Sequence, residues 1–210
     1  MKTIAVLSQK GGAGKTTISI NLADALFRRG LKVLLVDSDP QGSSRDWRET
    51  NLDGKIPVLG LDRESLASDI KAVDSNYDIV IIDGAPRVAK LSSAAIRVAN
   101  LVLIPVQPSP MDIWACAELV DTVIARREVA DGLPAAYFVV SRAIKNTKLS
   151  KQVTTAVKEY GLDVLKSRTT NRISYPSTAS EGKTVFDSDD EVAKAEIDAL
   201  ADEVLEIIHA

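Results

Sequence analysis

The chain of 210 residues has little cysteine, little histidine and few aromatic residues. Its one cysteine, Cys116, allows no internal disulfide and no cysteine cluster, which favours a reducing cytosol. Aromatic residues make up only 4% of the chain, so Ala, Val, Ile and Leu must form the core, as is typical of parallel strands covered by helices. The net charge of -3 argues against a generally basic nucleic-acid-binding protein.

Long hydrophobic runs are also missing. No apolar run is long enough to span a bilayer, and the start of the sequence, "MKTIAVLSQK", lacks the pattern of a secretory signal. We therefore expect a soluble cytoplasmic protein with no membrane partner. The length and the 45% hydrophobic content suit one compact domain that spans residues 1–210.

Short apolar runs alternate with longer amphipathic stretches along the sequence. The runs predict buried strands at 3–8, 32–37, 78–83, 101–106 and 135–140. The stretches predict helices at 15–29, 62–74, 90–99, 112–130, 149–160 and 190–208. This alternation predicts an α/β fold, a single-domain, doubly wound, mostly parallel sheet with helices on both faces. Ligands of such sheets bind at the carboxyl ends of the strands.

A glycine-rich segment, "KGGAGKTT" (10–17), joins the first predicted strand to the first predicted helix. Its glycines allow backbone N–H groups to face an anion, and the helix N-terminus adds a positive dipole. Lys15 would reach the β- and γ-phosphates, and the Thr16 hydroxyl would bind Mg²⁺. The predicted nucleotide-binding residues of this loop are Lys10, Gly11, Gly12, Ala13, Gly14, Lys15, Thr16 and Thr17. The usual phosphate-loop pattern has glycine at position 9, where this chain has Gln9 followed by Lys10.

Carboxylates follow two of the predicted strands. Asp37 and Asp39, in "LLVDSDPQG", point the same way because side chains two apart on an extended segment share a face. Asp83 ends the apolar run of "YDIVIIDGAP" and would hold Mg²⁺ through a water. The alternative for Asp37 and Asp39 is a simple turn, which the residues of "DPQG" favour.

A phosphate loop with an additional upstream lysine, here Lys10, is called a deviant Walker A motif. With this motif, the chain resembles the ParA/MinD family of P-loop ATPases over nearly its whole length. It looks most like the small, ParF-like partition ATPases, and it shows no helix-turn-helix extension ahead of its first strand. The resemblance implies ATP and Mg²⁺ as cofactors and an ATP-bound sandwich homodimer. It also implies that Lys10 contacts the partner's phosphates; the alternative is a solvated loop lysine.

The same resemblance assigns catalysis to Lys10, Lys15 and Asp39, with Asp39 positioning the metal and the attacking water. The implied metal site comprises Thr16, Asp37, Asp39 and Asp83. No glutamate that could act in catalysis follows Asp83, which suits slow hydrolysis. Asp112, in the proline-rich "LIPVQPSPMDIW", either contacts the partner subunit or caps the following helix.

The resemblance also places a base pocket near Arg142, Phe186 and Asp187 and favours adenine. Separately, residues 141–172 form a basic stretch in an acidic protein. It is either a solvated surface or, as the resemblance implies, a patch that binds DNA non-specifically in the ATP dimer. The candidate DNA contacts are Lys145, Lys148, Lys151, Arg168 and Arg172.

The function expected from these observations is DNA partition: a nucleoid-associated ATPase, stimulated by a centromere-binding partner protein, that segregates a plasmid or a chromosome region. One alternative keeps the ATPase switch and moves a protein cargo. A MinD-like membrane ATPase is disfavoured, because the final residues, "ADEVLEIIHA", are acidic rather than basic. An ATP-dependent ligase on the same fold is the other alternative.

Overall fold

Seven parallel strands form one sheet in the computed structural model, which describes residues 1–73, 76–144 and 148–209, without the side chains of 148–152. The order across the sheet is β3-β2-β4-β1-β5-β6-β7. The strands are β1 (Lys2–Val6), β2 (Val33–Asp37), β3 (Val58–Gly60), β4 (Ile79–Asp83), β5 (Leu101–Val106), β6 (Ala135–Ala143) and β7 (Asp163–Thr170).

Nine helices in the described residues cover the two faces of this sheet. They are α1 (Lys15–Arg28), α2 (Ser43–Thr50), α3 (Leu66–Ala72), α4 (Ala89–Val98), α5 (Pro110–Trp114), α6 (Ala117–Glu128), α7 (Lys148–Lys158), α8 (Ser174–Ala179) and α9 (Glu191–His209). None of them is both long and apolar enough to cross a membrane.

The core consists of two apolar layers, one on each side of the sheet. In β1, Ile4 and Val6 belong to the layer that packs against α1 and α9, and Ala5 belongs to the opposite layer, with α3, α4 and α6. Successive side chains of a strand point to opposite faces, so a strand covered on both sides must be apolar throughout. The continuous apolar runs of the sequence are explained by this arrangement.

The predicted α/β sheet is confirmed, with differences at its edges. The five predicted strands are present, but the edge strands β3 and β7 were not predicted, nor were α2 and α8. The predicted helix at 112–130 is divided at Ala115 and Cys116 into α5 and α6.

Strand register brings the predicted carboxylates together. Val6 at the end of β1 is paired with Asp83 at the end of β4, and Asp83 is paired in turn with Asp37 at the end of β2. β1 lies between β4 and β5, and the chain leaves it in one direction for β2 and later crosses to the other side for β5. The carboxyl ends of these strands therefore border the crevice where open α/β sheets bind ligands.

Candidate functional site

The loop between β1 and α1 has a backbone conformation that its glycines permit and that neighbouring residues support. Gly12 and Gly14 have φ values of 77° and 93°, which residues with a Cβ rarely adopt. The side-chain amide of Gln107 donates to the carbonyl of Gly12 (2.6 Å), and the hydroxyl of Ser141 donates to the carbonyl of Ala13 (2.7 Å). Neighbouring strands thus fix the loop in one shape before any ligand binds.

Lys15, the first residue of α1, is buried at the base of this loop with 7% of its surface exposed. Burial lowers the pKa of its ammonium group, although the charges of Asp83 and Asp39 act in the opposite direction. Its Nζ lies 3.3 Å from the backbone carbonyl of Lys10, to which it donates. A desolvated cation of this kind gains a strong interaction when an anion enters the site.

Asp83 lies directly behind Thr16. One carboxylate oxygen accepts hydrogen bonds from the hydroxyls of Thr16 (2.7 Å) and Ser44 (2.8 Å), and the other lies 3.3 Å from the hydroxyl of Ser19. Burial raises the pKa of Asp83 to about 6, a shift that the charge of Asp37 adds to and the two short hydrogen bonds oppose. The Thr16 hydroxyl and the carboxylate therefore form a preassembled pair at the N-terminus of α1.

Asp37 has a different position from the one predicted. One of its oxygens accepts from the backbone N–H groups of Ser44 and Arg45, and the other accepts from that of Asp39, each at 3.0 Å. It is fully buried beneath the first turn of α2 and does not line the cavity described below. Its predicted role as a metal ligand stays a prediction: one oxygen is used by the first turn of α2, and the other accepts the backbone N–H of Asp39 in the preceding loop.

A cavity of about 470 Å³ opens above the loop, a volume typical of small-molecule sites. One end is lined by most of the predicted phosphate-binding residues, namely Gly11, Gly12, Gly14, Lys15, Thr16 and Thr17. Asp39, Gln41 and Ser43 border the same end. Most of the rest of the lining comes from the last residues of β6 and β7 and the segment after β7: Ser141, which also contacts the loop, Arg142, 169–172 and 175–176.

The donor set of the cavity suits a magnesium ion that is held largely by phosphates. No group of three or more His, Cys, Asp or Glu side chains that could hold a metal occurs within the described ranges. Magnesium typically keeps several waters and takes one or two protein oxygens beside the phosphates of a nucleotide. Thr16 and Asp39 are available at the cavity for this role, and Asp83 supports Thr16 from behind.

The three predicted base contacts, Arg142, Phe186 and Asp187, are not all found at the cavity. Arg142 lines the cavity, but Phe186 and Asp187 do not. Phe186 packs under Arg28 of α1, whose guanidinium carbon is 4.9 Å from the ring centroid. Asp187 accepts from the backbone N–H of Thr184 at 3.0 Å and stabilises a short 3-10 turn. Both side chains are thus used on the α1 side of the molecule, away from the cavity.

Apart from Arg142, the residues that line the far end are not predicted from the sequence as nucleotide contacts. Thr169, Thr170 and Asn171 end the unpredicted strand β7, and Tyr175 belongs to the unpredicted helix α8. Had β7 been recognised, the rule that ligands lie at the carboxyl ends of parallel strands would have placed "TTN" at the site. The segment was interpreted instead as part of a basic stretch.

Lys10 does not line this cavity. Its ammonium group forms an ion pair with Asp112 of α5, which is only 3% exposed and whose other carboxylate oxygen has no hydrogen-bond partner. Asp112 lies within α5 and does not cap it, because Ser109 occupies the N-cap position. On the same short helix, Met111 and Trp114 are each 64% exposed.

The basic stretch is only partly described by the structure. Lys145 lies outside the described residues, and Lys148 and Lys151 lie in α7 with side chains outside the description. Arg168 is exposed on β7, as a surface contact requires. Arg172 lines the cavity and its Nε donates to Asp190 at 2.6 Å, and the DNA contact predicted for it stays a prediction.

A glycine loop opening a helix, a buried lysine at its base and a threonine–aspartate pair behind it together define a P-loop nucleotide-binding site. Residues 4–185 match the family model described as "CobQ/CobB/MinD/ParA nucleotide binding domain". The chain belongs to this family and is a ParA/MinD-type ATPase.

Curated relatives cover most of the chain. Maintenance of carboxysome distribution protein A of Halothiobacillus neapolitanus is 33% identical over 188 residues, which are 88% of this chain and 86% of that protein. Sporulation initiation inhibitor protein Soj of Bacillus subtilis is 28% identical over 239 aligned positions, covering 93% and 94% respectively. The narrower likeness to ParF stays a prediction.

Solved structures show the same fold. A Cyanothece McdA variant with an aspartate-to-alanine substitution, in complex with ATP, superposes with a TM-score of 0.76 at 20% identity, over 100% of this chain and 96% of that one. The septum site-determining protein MinD of Pyrococcus horikoshii, complexed with Mg-ADP, gives 0.75 at 20% identity, over 100% and 98%.

Proposed function

We propose that the chain is an ATP-driven positioning switch that distributes a protein cargo. The observation that carries the switch is the divided use of the two loop lysines: Lys15 faces the cavity, and Lys10 is held outside it by Asp112. The likeness to a protein of carboxysome distribution, which covers most of both chains, favours a protein assembly as the cargo over a plasmid.

The substrate is ATP, and Mg²⁺ is the cofactor. When Mg²⁺ is bound, its positive charge offsets the negative charge of the phosphates. Lys15 binds the phosphates, and the Thr16 hydroxyl, supported by Asp83, lies where a metal ligand is needed. Asp39 borders the same end and is available to orient the attacking water. The nucleoside extends toward Arg142 and the end of β7, because the rest of the cavity lies in that direction.

The ATP-bound form is proposed to be a homodimer in which Lys10 contacts the partner's nucleotide. Lys10 must first leave Asp112, and a partner's phosphates are an anion strong enough to compete for it. Beside it, the exposed Met111 and Trp114 form an apolar surface of a kind that is common at protein interfaces. The whole described chain would act as one such ATPase domain.

Replacing Asp39 by alanine is expected to separate binding from hydrolysis. The ATP dissociation constant should stay within about threefold, because Lys15 and the glycine loop, which bind the phosphates, are unchanged. Turnover should fall about a hundredfold, the usual effect of losing a group that orients water. Phosphate release and ATP titration measure the two quantities, with Asp53→Ala, an exposed aspartate in the loop after α2 and outside the cavity, as control. Unchanged turnover in Asp39→Ala would remove this residue from the mechanism.

Non-specific DNA is the proposed track along which the switch acts. With ATP, binding of a random-sequence duplex should weaken as the salt concentration rises. The logarithm of the binding constant should fall against the logarithm of the salt concentration with a slope of roughly -5, if each subunit neutralises about three phosphates. Arg168→Ala should reduce the slope by about one for each subunit engaged. Arg63→Ala, an exposed arginine outside the basic stretch, should leave it unchanged. Fluorescence anisotropy checks this, and equal binding with ADP and ATP would refute a nucleotide-gated track.

Partition of a plasmid or chromosome region is the second candidate function, favoured by the likeness to Soj along nearly the whole chain. That function adds a centromere-binding partner protein. Deleting the gene in its own organism separates the two candidates. For a protein cargo, plasmid loss and the fraction of DNA-free cells should stay at wild-type levels while a large protein assembly becomes clustered in cryotomograms. A rise in DNA loss without such clustering would instead support partition.

A further inference from the structure

The far wall of the cavity is held in place by the last helix, α9. Glu196 accepts three hydrogen bonds from that wall: from the backbone N–H of Thr170 (2.9 Å), from the hydroxyl of Thr170 (2.6 Å) and from the hydroxyl of Tyr175 (2.9 Å). Both Thr170 and Tyr175 line the cavity, whereas Glu196 itself does not. A single carboxylate thus joins the end of β7 to α8.

A second carboxylate, Asp190, strengthens the same connection just before α9. It accepts from Nε of Arg172 (2.6 Å) and from the hydroxyl of Ser174 (2.8 Å), and it also caps α9 through the backbone N–H of Ala193 (3.1 Å). Burial raises the pKa of Tyr175, and the charge of Glu196 raises it further, so the phenol stays protonated and keeps donating.

The position of Glu196 follows from the apolar stripe of α9. Ala193, Ile197 and Leu200 are buried against the sheet and set the rotation of the helix. Glu196 then lies beside the stripe, next to the edge strand β7. Seven residues later, Glu203 lies on the same side and accepts from the backbone N–H groups of Lys166 and Ser167, each at 2.9 Å.

Glu196 and Glu203 both hold β7 against α9, but they bind different parts of the strand. Both accept backbone N–H groups of β7, and both are partly buried. Glu203 binds the strand at residues that do not line the cavity, whereas both partners of Glu196 do line it. Glu203 is therefore a matched control for any effect of Glu196 that is merely structural.

We propose that Glu196 is a positioning residue for the nucleoside end of the site, which it acts on through Thr170 and Tyr175. The proposal rests on the proposed function in one respect, namely that a nucleotide fills the cavity with its phosphates at Lys15. Glu196 then contributes to the affinity for the base and ribose and makes no contribution to phosphate binding or to the chemical step. It also links nucleotide binding to the docking of α9.

The experiment compares Glu196→Ala with Glu203→Ala in the full chain, using ATP, ADP and inorganic tripolyphosphate as probes. Glu196→Ala should weaken ATP and ADP binding about tenfold, because Thr170 and Tyr175 in the cavity wall lose the charged acceptor that holds them in place. The inhibition constant of tripolyphosphate should change less than about twofold, since it occupies only the phosphate end. Steady-state kinetics should show a higher KM with kcat nearly unchanged.

Two further variants keep the test decisive. Tyr175→Phe removes a single hydroxyl and should weaken ATP binding about threefold even if Glu196→Ala does not fold. Glu196→Gln keeps an acceptor oxygen and should recover most of the affinity. Glu203→Ala should bind all three probes as the wild type does.

The proposal is overturned if Glu196→Ala and Tyr175→Phe bind ATP with wild-type affinity. It is equally overturned if tripolyphosphate weakens as much as ATP, or if Glu203→Ala has the same effect as Glu196→Ala. Failure of the proposed function has a different signature, because the wild-type chain itself would then show no binding of ATP.

Discussion

Replacing Lys15 by alanine is expected to abolish ATP binding, with a loss of affinity of at least about a hundredfold. Lys15 provides the buried cation at the phosphate end of the cavity, and hydrogen bonds from a charged donor contribute about 1.5–3 kcal/mol each. Several such bonds to the β- and γ-phosphates would be lost together. Titration with a fluorescent ATP analogue measures the effect.

The stability of the same variant distinguishes a binding role from a structural one. Because burial disfavours the ammonium group, Lys15 is costly to the free protein, and Lys15→Ala should unfold at the same temperature as the wild type or slightly higher. ATP should raise the unfolding temperature of the wild type and leave that of the variant unchanged. Lys183→Ala, an exposed lysine outside the cavity, is the control. Normal ATP affinity in Lys15→Ala would refute the loop assignment.

Replacing Lys10 by alanine is expected to have the opposite profile, with ATP binding kept and dimerisation lost. The side chain of Lys10 does not line its own cavity, so the ATP dissociation constant of the monomer should change less than about threefold. Across a dimer, each Lys10 would offset the charge of the partner's phosphates, and two such contacts are lost at once. We expect the dimer to be weakened by at least about a hundredfold.

Sedimentation velocity at several protein concentrations, with saturating ATP, measures this loss. The control is again Lys183→Ala, which removes an exposed lysine from another part of the surface and should dimerise as the wild type does. Loss of the ion pair with Asp112 is a second consequence of Lys10→Ala, so the variant's unfolding temperature is recorded beside its mass. An ATP-dependent dimer of Lys10→Ala with wild-type affinity would refute the role of Lys10 across the interface.

The centre of the fold could be predicted from the sequence because its signals are local. Runs such as "DIVIID" are apolar without alternation, and only burial on both faces of a sheet explains that pattern. The phosphate loop, Thr16 and Asp83 follow from these strands, since each lies at a carboxyl end. Close packing confirms the choice of glycine after Asp83: a Cβ at Gly84 would lie 2.3 Å from the side chain of Leu7.

The edge of the sheet could not be predicted, because its stability comes from distant residues. The sequence of β7, "DVLKSRTT", is mostly polar, and several of its backbone N–H groups are paired by Glu196 and Glu203 of α9. No local pattern indicates those partners. Phe186, which the family resemblance suggests for the base, packs on Arg28 instead of lining the cavity beside the end of β7.

Asp37 and Asp39 illustrate the same limit at shorter range. Their spacing correctly places both carboxylates at the end of β2. It does not tell which of the two will accept the first backbone N–H groups of the following helix. The answer depends on α2, whose first backbone N–H groups bind Asp37 and leave Asp39 at the cavity. A polar helix of eight residues, which no local pattern predicts, thus gives the two carboxylates different surroundings.

The molecular mass of the wild-type chain in solution, measured by light scattering with ADP and with ATP, tests the central claim most directly. An ATP-driven switch predicts a monomer of 22.6 kDa with ADP and a dimer of twice that mass with ATP and Mg²⁺. The same mass in both states would contradict the account, because nucleotide would then fill the cavity without changing the assembly.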